Sequence, residues 1–167
     1  MLIKGIIDED FINYKKPSMV IMCPTCSFKC DKECGEQVCQ NSALATSPDI
    51  QIDNFSIVDR YLKNPITKAI VFSGLEPFDS FEDMYSIIYA LRQQNCTDDV
   101  VIYTGYDRDE ISTMKRADGF FYIDSLILLR PIIVKYGRYK PNQKMKYDNV
   151  LGVNLASDNQ FAIRYNR

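Results

Sequence analysis

Ser18-Met-Val-Ile-Met22 runs directly into Cys23-Pro-Thr-Cys26-Ser-Phe-Lys-Cys30-Asp-Lys-Glu-Cys34-Gly-Glu-Gln-Val-Cys39, so an apolar segment delivers five of the chain's six cysteines into one loop. The apolar run is short, non-alternating and partly β-branched, the pattern of a strand buried on both faces of a parallel sheet. A loop at the end of such a strand can gather several thiolates around one inorganic centre. Thiolate is a soft ligand that selects zinc, copper(I) or iron-sulfur clusters.

Similar runs recur along the chain. Ala69-Ile-Val-Phe72 precedes Ser73-Gly74, Val100-Val-Ile-Tyr103 precedes Thr104-Gly105, and Ser125-Leu-Ile-Leu-Leu129 extends towards Val134; each is expected to be a strand. Helical patterns lie between them. Asp53 to Lys63 carries apolar residues at Phe55, Val58, Tyr61 and Leu62 and ends at Asn64-Pro65. Ser80 to Gln94 places Phe81, Met84, Ile87, Ile88 and Leu91 on one face, with Ser80 and Asp83 as a capping-box-like start. A shorter helix is expected over Asp107 to Lys115, led by Asp107 and Glu110. Strands alternating with helices predict an α/β fold of right-handed βαβ units with a mainly parallel sheet. A closed eight-unit barrel takes about 250 residues, so this chain is expected to form an incomplete barrel or an open sheet. Ligands of such folds sit at the carboxyl ends of the strands. That places the cysteine loop, Ser73-Gly-Leu-Glu-Pro77 and Thr104-Gly-Tyr106 at one rim.

The 167 residues are 46% hydrophobic with a formal charge of -2 and show no repeat or linker, which reads as one domain spanning 1–167. Without a large basic excess, nucleic-acid binding is not expected. The first ten residues lack a signal-peptide pattern, and no later run approaches the roughly 20 apolar residues of a membrane span. A cytoplasmic location without membrane attachment is therefore expected, and with it a thiol loop rather than a disulfide framework. Histidine is absent, which excludes imidazole metal ligands, Ser-His or Cys-His pairs and histidine acid-base catalysis.

Cys26 and Cys30 form a C-x3-C pair, and one further thiolate completes a three-point site that leaves one iron of a cluster open. A four-cysteine zinc knuckle is the alternative, built from Cys23 and Cys26 with two of Cys30, Cys34 and Cys39. In Ser73-Gly-Leu-Glu-Pro77, Gly74 permits a close backbone approach, Glu76 offers a carboxylate to an ammonium group and Pro77 stiffens the exit.

In order and spacing these pieces resemble the radical S-adenosylmethionine family, and more closely its anaerobic ribonucleotide reductase activating proteins. Asp10-Phe-Ile-Asn13 is similar to that family's opening segment, Cys26-x3-Cys30 to the start of its cluster loop and Cys39-Gln-Asn41 to the loop's Cys-aromatic-Asn end. Ser73-Gly-Leu-Glu-Pro77 resembles its Ser-Gly-Gly-Glu-Pro, Tyr103-Thr-Gly-Tyr106 its Tyr-Thr-Gly-Tyr, and Ser157-Asp-Asn-Gln160 its C-terminal Ser-Ser-Asn-Gln. The chain departs from the family's C-x3-C-x2-C, because cysteines follow Cys30 at Cys34 and Cys39, and it has Leu75 where glycine is usual. Context after the thiol favours Cys39 as third ligand; spacing favours Cys34.

The resemblance implies an incomplete radical-SAM-type barrel and an oxidoreductase. Its [4Fe-4S] cluster would be held by Cys26, Cys30 and Cys39 or Cys34, with no catalytic residue beyond these ligands. S-adenosyl-L-methionine would be bound by Ser73, Gly74, Leu75 and Glu76, with Thr104 and Tyr106 near its ribose or adenine, and Asn159 and Gln160 on the far rim. Its expected partners are a large glycyl radical enzyme subunit and a flavodoxin-type or other low-potential reductant. A small radical enzyme acting on a nucleotide-like or peptide substrate is the enzymatic alternative. Cys96 stands alone and is expected to be a plain buried residue. The basic, aromatic segment Arg130 to Tyr147, with Lys135, Arg138, Tyr139, Lys140 and Lys144, reads as a solvated face or part of a docking surface.

Overall fold

The computed structural model describes residues 1–166. In chain order its elements are β1 (Leu2–Ile3), β2 (Gly5–Asp10), β3 (Ser18–Cys23), α1 (Lys29–Cys34), α2 (Ser42–Ala45), β4 (Ile50–Gln51), α3 (Asn54–Lys63), β5 (Ala69–Gly74), α4 (Phe81–Gln93), β6 (Asp99–Tyr103), α5 (Arg108–Thr113), α6 (Tyr122–Leu128), β7 (Ile132–Tyr136), β8 (Lys146–Asp148), β9 (Val153–Leu155) and β10 (Phe161–Tyr165). The central sheet runs β10-β7-β6-β5-β3-β2. Strands β3, β5, β6 and β7 are parallel, and β2 and β10 add antiparallel edges.

Each parallel strand joins beside its predecessor, so right-handed crossovers must leave the connecting helices on one side. Burial follows that rule. Ile21, Phe72, Ile102 and Val134 pack into a core with Ile57 of α3, Met84, Ile87 and Ile88 of α4 and Leu126 of α6. The alternate residues Val20, Val71, Val101 and Ile133 form a second core with Tyr14, Leu151 and Leu155, the last two from the β8–β9 hairpin. The result is a mixed α/β fold with a mostly parallel central sheet.

Four expectations need correction. The run from Ser125 is not one strand: α6 occupies Tyr122–Leu128 and the strand is β7. An apolar run alone cannot separate a buried strand from a helix, and here the partners decide. Leu126 enters the core, Tyr122 one turn earlier stacks on Phe81 with 3.6 Å between ring centroids, and Leu128 is 73% exposed.

In α3 the buried face is Ile57, Val58 and Tyr61, while Phe55 is 74% exposed and Leu62 also faces solvent. The face is rotated because Ile57 and Tyr61, rather than Phe55, meet the sheet core. Ser80 makes no capping hydrogen bond; a 3₁₀ turn at Pro77–Ser80 starts earlier, with the Glu76 carboxylate accepting from Phe78 N–H. Proline, which has no N–H to satisfy, favours that earlier start. Cys96 is only half-buried, its carbonyl accepting from the Arg92 guanidinium.

The remaining elements follow the sequence closely. The five apolar residues expected on α4 are its buried ones. At α5, Asp107 and Glu110 form a reciprocal capping box, satisfying donors at the helix start. Among the described residues no helix is long and apolar enough to cross a membrane.

Candidate functional site

The carboxyl ends of the parallel strands open onto a cavity of about 830 Å³, on the side of the sheet where Val20 and Leu155 lie. Cys26, Cys30 and Cys39 all line it, together with Ser73, Gly74, Leu75, Glu76, Thr104 and Tyr106. Cys34 does not: it ends α1 and is exposed. Cys23 is buried in the helix-side core, at the end of β3.

The cysteine loop is tied to the sheet at both ends. Glu76 N–H donates to the Thr25 carbonyl at 2.7 Å, and the Asn41 side-chain amide donates to the Gly74 carbonyl at 2.7 Å. Gly74 is required here for two reasons. Its φ is +83°, and a Cβ would stand 3.0 Å from both the Met22 backbone and a Leu44 methyl. Its missing side chain thus admits the neighbouring strand and α2, a chain-on-chain approach.

Burial pushes the Cys26 thiol up to about 11 and the Cys30 thiol up to about 12, and the nearby Cys39 adds to the rise at both. The three sulfurs therefore share one electrostatic environment. Metal uptake must displace their protons, so it strengthens as pH rises.

Glu76 is 5% exposed. Its Oε1 accepts from the Thr104 hydroxyl at 2.8 Å and from Phe78 N–H, and its Oε2 accepts from Gly105 N–H at 2.8 Å. Burial outweighs these bonds and raises its carboxyl to about 7. Such a group gains from meeting a cation, which favours its charged form. Thr104 faces Glu76 and Tyr106 N–H, while the Tyr106 hydroxyl donates to Asp79 at 2.6 Å. The Tyr106 ring lies beneath the Lys29 ammonium, 4.8 Å from its centroid.

Two residues read as surface cations are corrected. Lys135 and Arg138 are each 7% exposed and both line the cavity. Lys135 donates to the Gly137 carbonyl at 2.7 Å, and burial lowers its ammonium to about 8. Arg138 reaches both Glu110 oxygens at 2.7 and 2.8 Å, and Glu110 also holds Lys29 of α1 at 3.1 Å. The sequence signal was the position of Lys135 at the end of an apolar strand, which aims it at the rim rather than at solvent. Lys140, Lys144 and Tyr147 are exposed as expected. Of the C-terminal pair, Gln160 lines the cavity and donates to Gly137, whereas Asn159 donates to the Arg138 carbonyl. Asp10 and Asn13 form a local turn, the Asp10 carboxylate accepting from both Ile12 and Asn13 backbone N–H groups.

The 4Fe-4S single cluster domain matches residues 18–152, well over half of the chain. The chain belongs to that family. No curated protein sequence matches it. As a member of the 4Fe-4S single cluster domain family, it needs soft donors with room between them, and three thiols around one large cavity meet that need. No three Cys, Asp or Glu side chains converge on a single-ion site among the described residues. Thiolates that each cap a different iron of one cluster need not converge on a point.

Proposed function

We propose that this iron-sulfur protein is a radical S-adenosylmethionine enzyme that activates a glycyl radical enzyme, namely an anaerobic ribonucleoside-triphosphate reductase. One observation carries the reading: three cysteines of the loop and the buried carboxylate of Glu76 line the same cavity, at the rim where parallel α/β folds bind ligands. Cys26, Cys30 and Cys39 would hold the [4Fe-4S] cluster, leaving one iron for S-adenosylmethionine. A cluster held there would supply the electron for reductive cleavage of the sulfonium, the chemistry that would yield methionine and a 5'-deoxyadenosyl radical able to remove a glycine Cα hydrogen on the partner.

The chain's own residues bind and orient. Glu76 accepts the methionyl ammonium, beside Ser73, Gly74 and Leu75, and that cation stabilises the charged carboxylate. Thr104 holds Glu76 in place through its hydroxyl rather than by reaching the ligand alone. Tyr106, anchored through Asp79, forms the wall beneath Lys29 on the nucleoside side. A flavodoxin-type or other low-potential reductant would supply the electron in the cytoplasm, and the single domain presents the open rim to the partner.

The test uses anaerobically reconstituted protein reduced with dithionite. Formation of 5'-deoxyadenosine and methionine from S-adenosylmethionine supports the reading, followed by a glycyl radical signal when the reductase is added. Protein that carries a full complement of iron and sulfide yet leaves S-adenosylmethionine intact refutes it. Cleavage of S-adenosylmethionine without a radical on the reductase refutes the activase assignment alone.

A further inference from the structure

The spacing between Cys30 and Cys39 is long, and a single side chain folds it back. Lys29–Cys34 makes one and a half turns of helix that carry Cys34 outward. Gly35 then reverses the chain in a left-handed conformation, φ +73°, its N–H returning to the Asp31 carbonyl. An αL residue after the last turn is a common helix terminator, and glycine adopts it without a Cβ clash. The returning strand of the loop lands on Asp31. One carboxylate oxygen, Oδ1, accepts from Val38 N–H at 2.9 Å and from Cys39 N–H at 2.8 Å. The same oxygen lies 3.7 Å from the Cys30 sulfur. Asp31 therefore touches both cysteines that flank the eight-residue excursion.

We infer that Asp31 is the positioning residue that makes Cys39 the third cluster ligand, by clamping the backbone of Val38 and Cys39 against the start of α1. Resting on the proposed cluster assignment, this explains how an expanded loop presents its last sulfur beside Cys30 while passing over Cys34. The clamp consists of two hydrogen bonds to one oxygen, and bonds to a carboxylate are stronger than those between neutral groups. An asparagine in the same rotamer keeps an oxygen acceptor for both N–H groups; an alanine keeps none.

The experiment compares the full-length chain with Asp31→Asn and Asp31→Ala, each checked for native circular dichroism and melting. In cluster-free protein, amide hydrogen exchange at Val38 and Cys39 is expected to speed up about tenfold or more in Asp31→Ala, the loss of roughly one hydrogen bond's protection. Asp31→Asn is expected to stay within about threefold of wild type. After anaerobic reconstitution, iron and sulfide per chain should fall to a small fraction in Asp31→Ala and recover in Asp31→Asn. Unchanged exchange and iron content in Asp31→Ala overturns the inference, as does failure of Asp31→Asn to rescue a folded protein. If Asp31→Ala does not fold, Asp31→Asn and Asp31→Ser decide by the same two readouts. A wild type that takes up no cluster sinks the proposed function instead, while the exchange measurement still tests the clamp by itself.

Discussion

Replacing Glu76 with glutamine should remove a specific pH dependence from the stability of the cluster-free protein. The folded state holds this carboxyl near 7, up from an ordinary 4.5, chiefly because burial disfavours its charge. A raised folded pKa means that the folded protein binds the proton more tightly than the unfolded chain. The associated stability is fully present below about pH 4.5 and is lost as pH rises through about 7. That displacement corresponds to about 3 kcal/mol across the window. Two neighbours with shifts of their own leave the window clear. Lys135, lowered to about 8, and Cys26, raised to about 11, both feel Glu76 and titrate above the window. Glutamine keeps an oxygen for Thr104 and Phe78 and carries no charge; the constant cost of turning its NH2 towards Gly105 does not vary with pH. Urea unfolding of wild type and Glu76→Gln from pH 4.5 to 7.5 measures the difference. Wild type should lose about 3 kcal/mol more than the variant over that range. Parallel pH profiles for the two proteins would refute the buried, proton-holding carboxyl.

Three further outcomes are expected. Cys39→Ala should abolish cluster assembly while Cys34→Ala retains it, read as iron and sulfide after anaerobic reconstitution; the reverse pattern would move the third ligand to Cys34. Glu110→Ala leaves the buried Arg138 and Lys29 of α1 without their shared partner, at a cost of about 1–3 kcal/mol. The same carboxylate's depressed pKa means that its stabilising contribution, present above about pH 4.5, disappears as pH falls towards 2. Acid unfolding of wild type and variant checks both. Gly74→Ala forces a Cβ to 3.0 Å from Met22 and Leu44 at positive φ, so urea unfolding should show a loss of about 1–3 kcal/mol.

Much of this arrangement is legible in the sequence where burial and chemistry reinforce each other. Three of the four parallel strands, β3, β5 and β6, are the apolar runs that lead into Cys23, Ser73-Gly74 and Thr104-Gly105, and the buried residues of α4 follow helical spacing because one face meets the sheet. Misreadings occur where one pattern serves two structures. The apolar stretch from Ser125 holds a helix and then, past Pro131, a strand, and the packing of Leu126 in the core and of Tyr122 on Phe81 distinguishes them. The three cavity cysteines are visible as thiols, but no local spacing singles out Asp31 among them, because its contacts depend on the chain returning to it. Lys135 and Arg138 lie in a basic segment whose composition suggests solvent, while their places at and just beyond the end of β7 turn them inward. Such contacts join residues distant in the chain, as Arg138 does with Glu110 and Glu33, and no local spacing announces them.

The β8–β9 hairpin seals the amino-terminal half of the sheet's helix-free face with Leu151 and Leu155. Leu155 belongs both to this seal and to the lining of the cavity, so the packing that closes the second core also shapes the site, and a substitution that loosens the hairpin would be felt where the thiols lie.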